Sequence, residues 1–343
     1  MTPIPTVAPD RILQTGFGFW AAKVLLSAVE LDLFSYLSKG PQKAASIQKT
    51  LGLHSRSLYD FLDALVALGF LQRKGTGEDA QYANAPDVDH YLVRGTPGYI
   101  GGMLQMANNR LYPFWGNLEE ALQTGQPQNE SKHGEKSLFE AVYADPATLR
   151  EFAAAMAGFQ IPNFIFLAQS FDFSAYTNYC DVGGADGTCS CILAEQHPHL
   201  QCVTFDLPAL VPIAEENIRN RGMEDRVRVE SGDFFADDLP HADVITMGNI
   251  LHDWSEQEKL MLLGKAYDAL PEGGALLVIE NVIDDKRKEN LFGLLMSLNM
   301  LIETPEGFDY TYQDFRKWAT KAGFRETDLI PLTGPSSAVV AFK

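Results

Sequence analysis

The sequence predicts an α/β protein: a Rossmann-like, mostly parallel sheet with an antiparallel last strand, preceded by an all-helical winged-helix domain. Three observations predict it. From Tyr179 onward, short apolar runs alternate with helical stretches. Before that point, apolar residues recur at helical spacing. The 343 residues, 46% hydrophobic and 21% charged, suffice for two packed domains. The predicted division is a winged-helix domain at 1–100, a helical linker at 101–174 and the sheet domain at 175–343.

In chain order, Leu25, Val29, Leu33 and Leu37 form one apolar stripe, so the spacing predicts a helix from Ile12 to Leu37, stopped by Gly40-Pro41. A shorter helix follows from Ala44 to Leu51. Ser55 is the expected N-cap of a third helix through Leu58, Phe61, Leu62, Leu65 and Leu68, ending at Gly69. Phe70–Arg73 and Gln81–Ala83 read as two strands around Gly75-Thr76-Gly77. Three helices and a hairpin make a winged-helix pattern. Gly98–Leu122 and Ser137–Gln160 predict two more helices, joined by the polar segment 124–130.

The predicted strands of the second domain are Tyr179–Val182, Cys202–Phe205, Val227–Glu230, Val244–Met247, Ala275–Glu280, Glu326–Pro331 and Ser337–Phe342, the last two as a hairpin. In open α/β sheets, ligands sit beyond the carboxyl ends of the strands. The first strand runs into Asp181-Val182-Gly183-Gly184-Ala185-Asp186-Gly187, where glycine lets the backbone approach a ligand closely. Asp206 ends the second strand, where a carboxylate accepts from ribose hydroxyls and repels a 2′-phosphate. Asp233-Phe234 ends the third, a carboxylate for an exocyclic amine beside a ring for a base. Three such strand ends in succession point to an adenosine site.

Composition excludes several classes. The net charge of −18 opposes phosphate backbones and anionic lipid surfaces. The third helix of the winged-helix pattern offers Arg56 but also Asp60 and Asp63, a poor reading head for DNA. No apolar run of about 18 residues predicts a membrane span, and no basic-then-apolar leader is seen. Cys180, Cys189, Cys191 and Cys202 read as small buried thiols of a reducing cytoplasm, not a metal site.

Taken in order, Asp181-Val182-Gly183-Gly184, Phe205-Asp206-Leu207-Pro208, Gly232-Asp233-Phe234-Phe235, Ile250-Leu251-His252-Asp253-Trp254 and Pro271-Glu272-Gly273-Gly274 resemble the S-adenosylmethionine-dependent O-methyltransferases of the caffeate and acetylserotonin type. The resemblance covers nearly the whole chain. It implies a methyltransferase sheet domain and an N-terminal domain that forms a homodimer. It places Gly183 against the methionine part of the cofactor, Asp206 on the ribose, and Asp233 with Phe234 on the adenine. Asn249 falls at an often basic position, and Gln160 where a polar group lies near the cofactor's carboxylate. Ala185 stands where relatives usually have glycine, which predicts at most a shifted loop.

The donor methyl is already activated, so the protein must align an acceptor oxygen and make it nucleophilic. A phenol with a pKa near 10 is ionised about one part in a thousand at pH 7. A base within reach typically contributes about 10²–10⁴-fold. His252 follows the fourth strand at the same end of the sheet as Gly183, Asp206 and Asp233, and histidine suits the task. The resemblance places Glu280 at an acidic position near the base, and Asp309 at a second one commonly held by glutamate. Asp253 is expected to cap the helix starting at Ser255. No metal site is expected, since the histidine and carboxylates are few and lie on separate strand ends. Met296, Asn299 and Met300, at helical spacing, are either a core stripe or, as the resemblance implies, one wall of the acceptor pocket; Met103, Met106 and Asn109 are either helical core or the opposite wall, a methionine-rich lining that suits a flat aromatic molecule.

The reading is an O-methyltransferase of a hydroxylated aromatic or polycyclic small molecule, converting S-adenosylmethionine to S-adenosylhomocysteine, homodimeric and cytoplasmic, with neither nucleic acid nor membrane as partner. The alternatives are N- or C-methylation or a non-methylating reaction on the same fold, and a cofactor-sensing transcription regulator.

Overall fold

The computed structural model describes residues 8–96, 98–133 and 142–343. The chain divides into two compact units, Met1–Pro113 and Phe114–Lys343, so the stretch 101–174 is shared between them.

In the first unit, the single helix expected over Ile12–Leu37 is three: Asp10–Gly16, Gly18–Glu30 and Leu33–Leu37. One break falls at Asp32, which adopts φ 54°, a left-handed conformation that a short polar side chain tolerates. The apolar stripe survives the break because Val29, Leu33 and Leu37 all enter one core with Ile47, Leu62 and Leu65. Helix Ala44–Leu51 ends on Gly52 as predicted. Ser55 is not a cap. Residues Ser55–Ser57 form a 3₁₀ turn in which the His54 ring accepts from the Arg56 N–H at 3.1 Å, and the helix proper is Leu58–Ala67. The predicted hairpin is β2 (Leu71–Lys74) with β3 (Gln81–Asn84), and a two-residue β1 (Gln42–Lys43) joins β3 on its other side. So short a strand carries no readable alternation.

The helix expected over Gly98–Leu122 is a chain of pieces: Gly101–Met106, a π turn at Ala107–Leu111, a 3₁₀ turn at Trp115–Asn117 and helix Leu118–Thr124. The helix expected from Ser137 starts among residues outside those described. Its described part, Pro146–Ser170, runs past Gln160 with Pro162 inside it.

All seven predicted strands form one sheet: β4 (Asn178–Val182), β5 (Gln201–Asp206), β6 (Val227–Ser231), β7 (Val244–Gly248), β8 (Ala275–Glu280), β9 (Glu326–Pro331) and β10 (Ser337–Phe342). Their order is β6-β5-β4-β7-β8-β10-β9, and only the pairings made by β10 are antiparallel. Every residue of β8 is buried, as expected of a parallel strand covered on both faces. Val203, Ile245 and Val278 enter one core layer and Tyr179, Val244 and Leu277 the other. The strand order reverses between β4 and β7, which opens a crevice beyond their carboxyl ends.

Two helical stretches, Asp10–Glu30 and Thr148–Ser170, have the length and apolar content of a membrane-crossing helix. In the second, Leu167 and Ala168 are buried in the sheet-domain core.

Candidate active site

The loop after β4 is built for close approach. Gly183 has φ 72°, which a side chain would strain, and a Cβ there would collide with the side chain of Ile250 in the loop after β7 and force that side chain to move. Ala185 adopts φ 45°, a left-handed conformation that glycine would hold without strain. The loop keeps its course because the Ala185 N–H donates to Asp206 Oδ2 at 2.8 Å. Asp206 Oδ1 accepts from the Leu207 N–H at 2.7 Å. Burial pushes the Asp206 carboxyl up to about 6 despite these two hydrogen bonds.

At the end of β6, Asp233 Oδ1 accepts from the Phe235 N–H at 2.8 Å and the Asp233 N–H donates to Asp237. The half-buried Phe234 ring stands edge-on to Trp254, centroids 6.0 Å apart. Each carboxylate oxygen of Asp206 meets one N–H, which leaves lone pairs for hydroxyl donors. The strand-end carboxylates and the half-buried ring therefore fit an adenosine.

Asn249, after β7, has φ 52° and donates its N–H to Ile279 O at 3.0 Å. Gln160 is buried, and its Oε1 accepts from Asn163, which in turn accepts from Thr333 in the β9–β10 loop. One neighbour had no motif to reveal it: the half-buried Tyr143 feels the Asp206 carboxylate, and burial, then that charge, pushes its hydroxyl well above the usual range.

His252 lies in a 3₁₀ turn, Leu251–Asp253, beyond β7. Its Nδ1 is 3.3 Å from Glu280 Oε2 and 3.4 Å from Asp309 Oδ1, and its Nε2 is 3.5 Å from Asp253 Oδ1. Glu280 Oε1 also accepts from the His252 backbone N–H at 3.2 Å. The ring keeps 8% of its surface exposed, while the Glu280 and Asp309 side chains keep 1% each. Burial by itself would lower the imidazole pKa. Glu280, Asp253 and Asp309 outweigh that and push it up to about 10. Burial likewise raises Glu280, to about 7, and Asp253. The cluster thus resists any arrangement that leaves all its carboxylates charged.

One expectation is corrected here, and so is the ground given for expecting no metal site. Asp253 does not cap the following helix; Ser255 does, in a reciprocal capping box with Glu258, and Asp253 is left to face the imidazole. The donor atoms of His252, Glu280 and Asp309 converge to within 4.8 Å of one another, although they start from separate strand ends. They converge because the loop ahead of Asp309 folds back onto the His252 turn. A Cβ on Gly307 would lie 2.7 Å from the carbonyl oxygens of both His252 and Asp253, so only glycine lets the loop come this close.

The candidate acceptor contacts fall in both units. Met103, Met106 and Asn109 belong to the first unit. There a chain of hydrogen bonds runs from Lys23 through Asn108 and Asn109 to Glu30. Met296, Asn299 and Met300 lie on helix Leu291–Glu303. Met300 is buried, Met296 is half-buried, and Asn299 accepts from the Trp115 indole at 2.9 Å.

Residues 115–325 match the O-methyltransferase domain family and residues 13–94 the O-methyltransferase dimerisation domain. The chain is 40% identical to the tetracenomycin polyketide synthesis 8-O-methyl transferase of Streptomyces glaucescens, over 100% of this chain and 99% of that one. It is 36% identical to an N,N-dimethyltransferase of Streptomyces rimosus, over 94% of this chain and 93% of that one. Among solved structures, human N-acetylserotonin methyltransferase in complex with S-adenosylmethionine superposes with a TM-score of 0.91 at 29% identity, covering 100% of this chain and 99% of that one.

Proposed function

Since the chain belongs to the S-adenosylmethionine-dependent O-methyltransferases, with the family's dimerisation domain at its N-terminus, we propose that it methylates a hydroxyl of a small aromatic or polycyclic metabolite, with His252 as general base. The observation that carries this reading is the placement of His252: at the crevice end of β7, with Nδ1 between Glu280 and Asp309.

S-adenosylmethionine supplies a methyl group already activated on a sulfonium. Gly183, Asp206, Asp233, Phe234, Asn249 and Gln160 hold it. His252, in its neutral form, takes the acceptor's hydroxyl proton at Nε2, and the oxygen's electron pair becomes free to attack. Glu280 and Asp309 fix the ring through Nδ1 and stabilise the imidazolium that forms. Asp253, beside Nε2, adds to that stabilisation.

For acceptor binding the proposed residues are Met103, Met106 and Asn109 of the first unit and Met296, Asn299 and Met300 of the second, four methionines suited to a flat molecule and two amides suited to its polar groups. The relative that acts as an 8-O-methyl transferase in polyketide synthesis supports an oxygen acceptor on a polyketide-type molecule. The relative that dimethylates nitrogen favours a second reading, methylation of an amine, in which proton removal is less demanding.

Residues 1–100 pair two copies, 101–174 contribute to acceptor binding, and 175–343 bind the cofactor. Four free, buried cysteines suit a reducing compartment such as the cytoplasm.

A panel of polycyclic phenols and their amino counterparts, incubated with labelled methyl donor and followed by mass spectrometry, identifies the acceptor atom. With the best phenol, His252→Ala is expected to lower turnover at least about 100-fold while the melting-temperature rise caused by S-adenosylmethionine persists. Asp206→Ala is expected to abolish that rise. Turnover near wild type in His252→Ala would remove the base from this reading.

A further inference from the structure

Lys259 is fully buried one turn into helix Glu256–Ala269, an unusual place for an ammonium. Its Nζ donates to the Trp254 carbonyl and sits 3.6 Å from the centre of the Phe308 ring. Tyr310 and Trp318 are the next aromatic faces, at 5.9 and 6.0 Å. Trp254 ends the His252 turn, and Phe308 immediately precedes Asp309. The ammonium is therefore seated between the two segments that bring a base and a carboxylate together.

Charge gives this position its meaning. Glu280 and Asp309, both buried, and the half-buried Asp253 are three carboxylates facing one imidazole. Even with the ring protonated, an ionised cluster is left with two uncompensated negative charges in a poorly solvated site. Lys259 supplies a positive charge that all three carboxylates feel, together with Glu258 on its own helix. Burial draws the ammonium down to about 8, with the carboxylates opposing the fall, so it stays mostly charged at neutral pH.

We propose that Lys259 is a positioning residue of the active site, the second counter-cation of the Asp253–Glu280–Asp309 cluster, which ties the His252 turn to the Asp309 loop and sets the pH at which His252 becomes available as a base. The groups facing His252 are Asp253 on its own turn, Glu280 from β8 and Asp309 from the following loop; Lys259 reaches them from the helix beyond. The proposal rests on the reading of His252 as general base, though its charge pairing can be tested without that reading.

The experiment compares Lys259→Met, which keeps length and apolar bulk, with Lys259→Arg, which keeps charge. Loss of the cation leaves the imidazole among more negative surroundings. In Lys259→Met the rising limb of the kcat/KM–pH profile is expected to move up by about one pH unit, with Lys259→Arg restoring part of the shift. An unmoved limb, or a downward shift, overturns the proposal.

The second measurement is a double-variant cycle in thermal unfolding. Lys259→Met is expected to lower Tm by about 5 °C or more. Adding Asp253→Asn should recover part of that loss, because an anion leaves with its cation. If Lys259→Met does not fold, recovery of folding in Lys259→Met/Asp253→Asn is the expected result. Losses that merely add, or a double variant that still fails to fold, overturn the pairing. His252→Ala run alongside separates the two claims: unchanged turnover there removes the base, while the cycle continues to decide the role of Lys259.

Discussion

His252 has carboxylates against both ring nitrogens, and their negative potential holds its proton far above the pH at which a free imidazole would lose it. The sign of the pH dependence follows. On the proposed role of His252 as base, an imidazole held protonated up to about 10 is mostly unavailable at pH 7, so turnover should climb with pH through the alkaline range. Glu280→Gln removes one of the charges that raise the ring, so its rising limb should start at lower pH than that of wild type. A kcat/KM–pH profile checks this, and a limb displaced upward would contradict it. Ala185 shows another residue-scale effect. Glycine would hold φ 45° without the clash a Cβ makes, so Ala185→Gly is expected to gain about 1 kcal/mol of stability, measured by denaturant unfolding. Of the residues around the base, His252 was legible from its motif, whereas the partnership of Asp253 was not. Ser255 stands two residues later and makes the better cap, so the carboxylate is left facing the ring. Lys259 left a trace of its own. It precedes Leu262 and Leu263 by three and four residues, and so lies on the helix face that is buried.

Elements show a similar split. All seven strands of the large sheet stand within a residue of the positions their apolar runs predict, and the central β4, β5, β7 and β8 are the plainest because parallel strands buried on both faces leave continuous runs. The hairpin at the far edge was equally plain. Helices broken by local geometry were not: the π turn at Ala107–Leu111 and the breaks at Phe17 and Asp32 interrupt stripes whose apolar spacing continues across them. The loop from Thr304 to Asp309 matters most for the site. Thr304 Oγ1 accepts from the Gly307 N–H at 2.8 Å, and Gly307 lies against the His252 and Asp253 carbonyls with no room for a methyl group. Gly307→Ala should displace Asp309 from the ring. The expected outcome is a turnover loss of about tenfold or more with S-adenosylmethionine binding unchanged by calorimetry. Weaker cofactor binding with intact turnover would place the loop's role elsewhere.

For the whole molecule, the aromatic face of the first helices is the open question. Phe17, Phe19 and Trp20 are each about half exposed, with the Phe17 and Trp20 rings 4.6 Å apart, and Ile12 and Leu13 extend the same apolar surface. A second copy of the chain is the occupant we propose, in keeping with the dimerisation domain, residues 13–94, which includes Leu13, Phe17, Phe19 and Trp20. Trp20→Asp should then turn a dimer into a monomer in analytical ultracentrifugation, and a dimer of unchanged stability would move the interface to another face.

The sequence by itself determined the succession of strands in the large sheet, the strand-end motifs and the chemistry those residue types can perform. All of these depend on local spacing and composition, which the chain carries in order. Only the tertiary structure decided which carboxylates surround His252, how closely the Gly307 loop packs on its turn, and that an ammonium lies buried behind them. Glu280, Asp309 and Gly307 reach the His252 turn from tens of residues away, even the nearby Asp253 and Lys259 are oriented by packing, and the charge state of a buried group depends on every neighbour that folding brings to it.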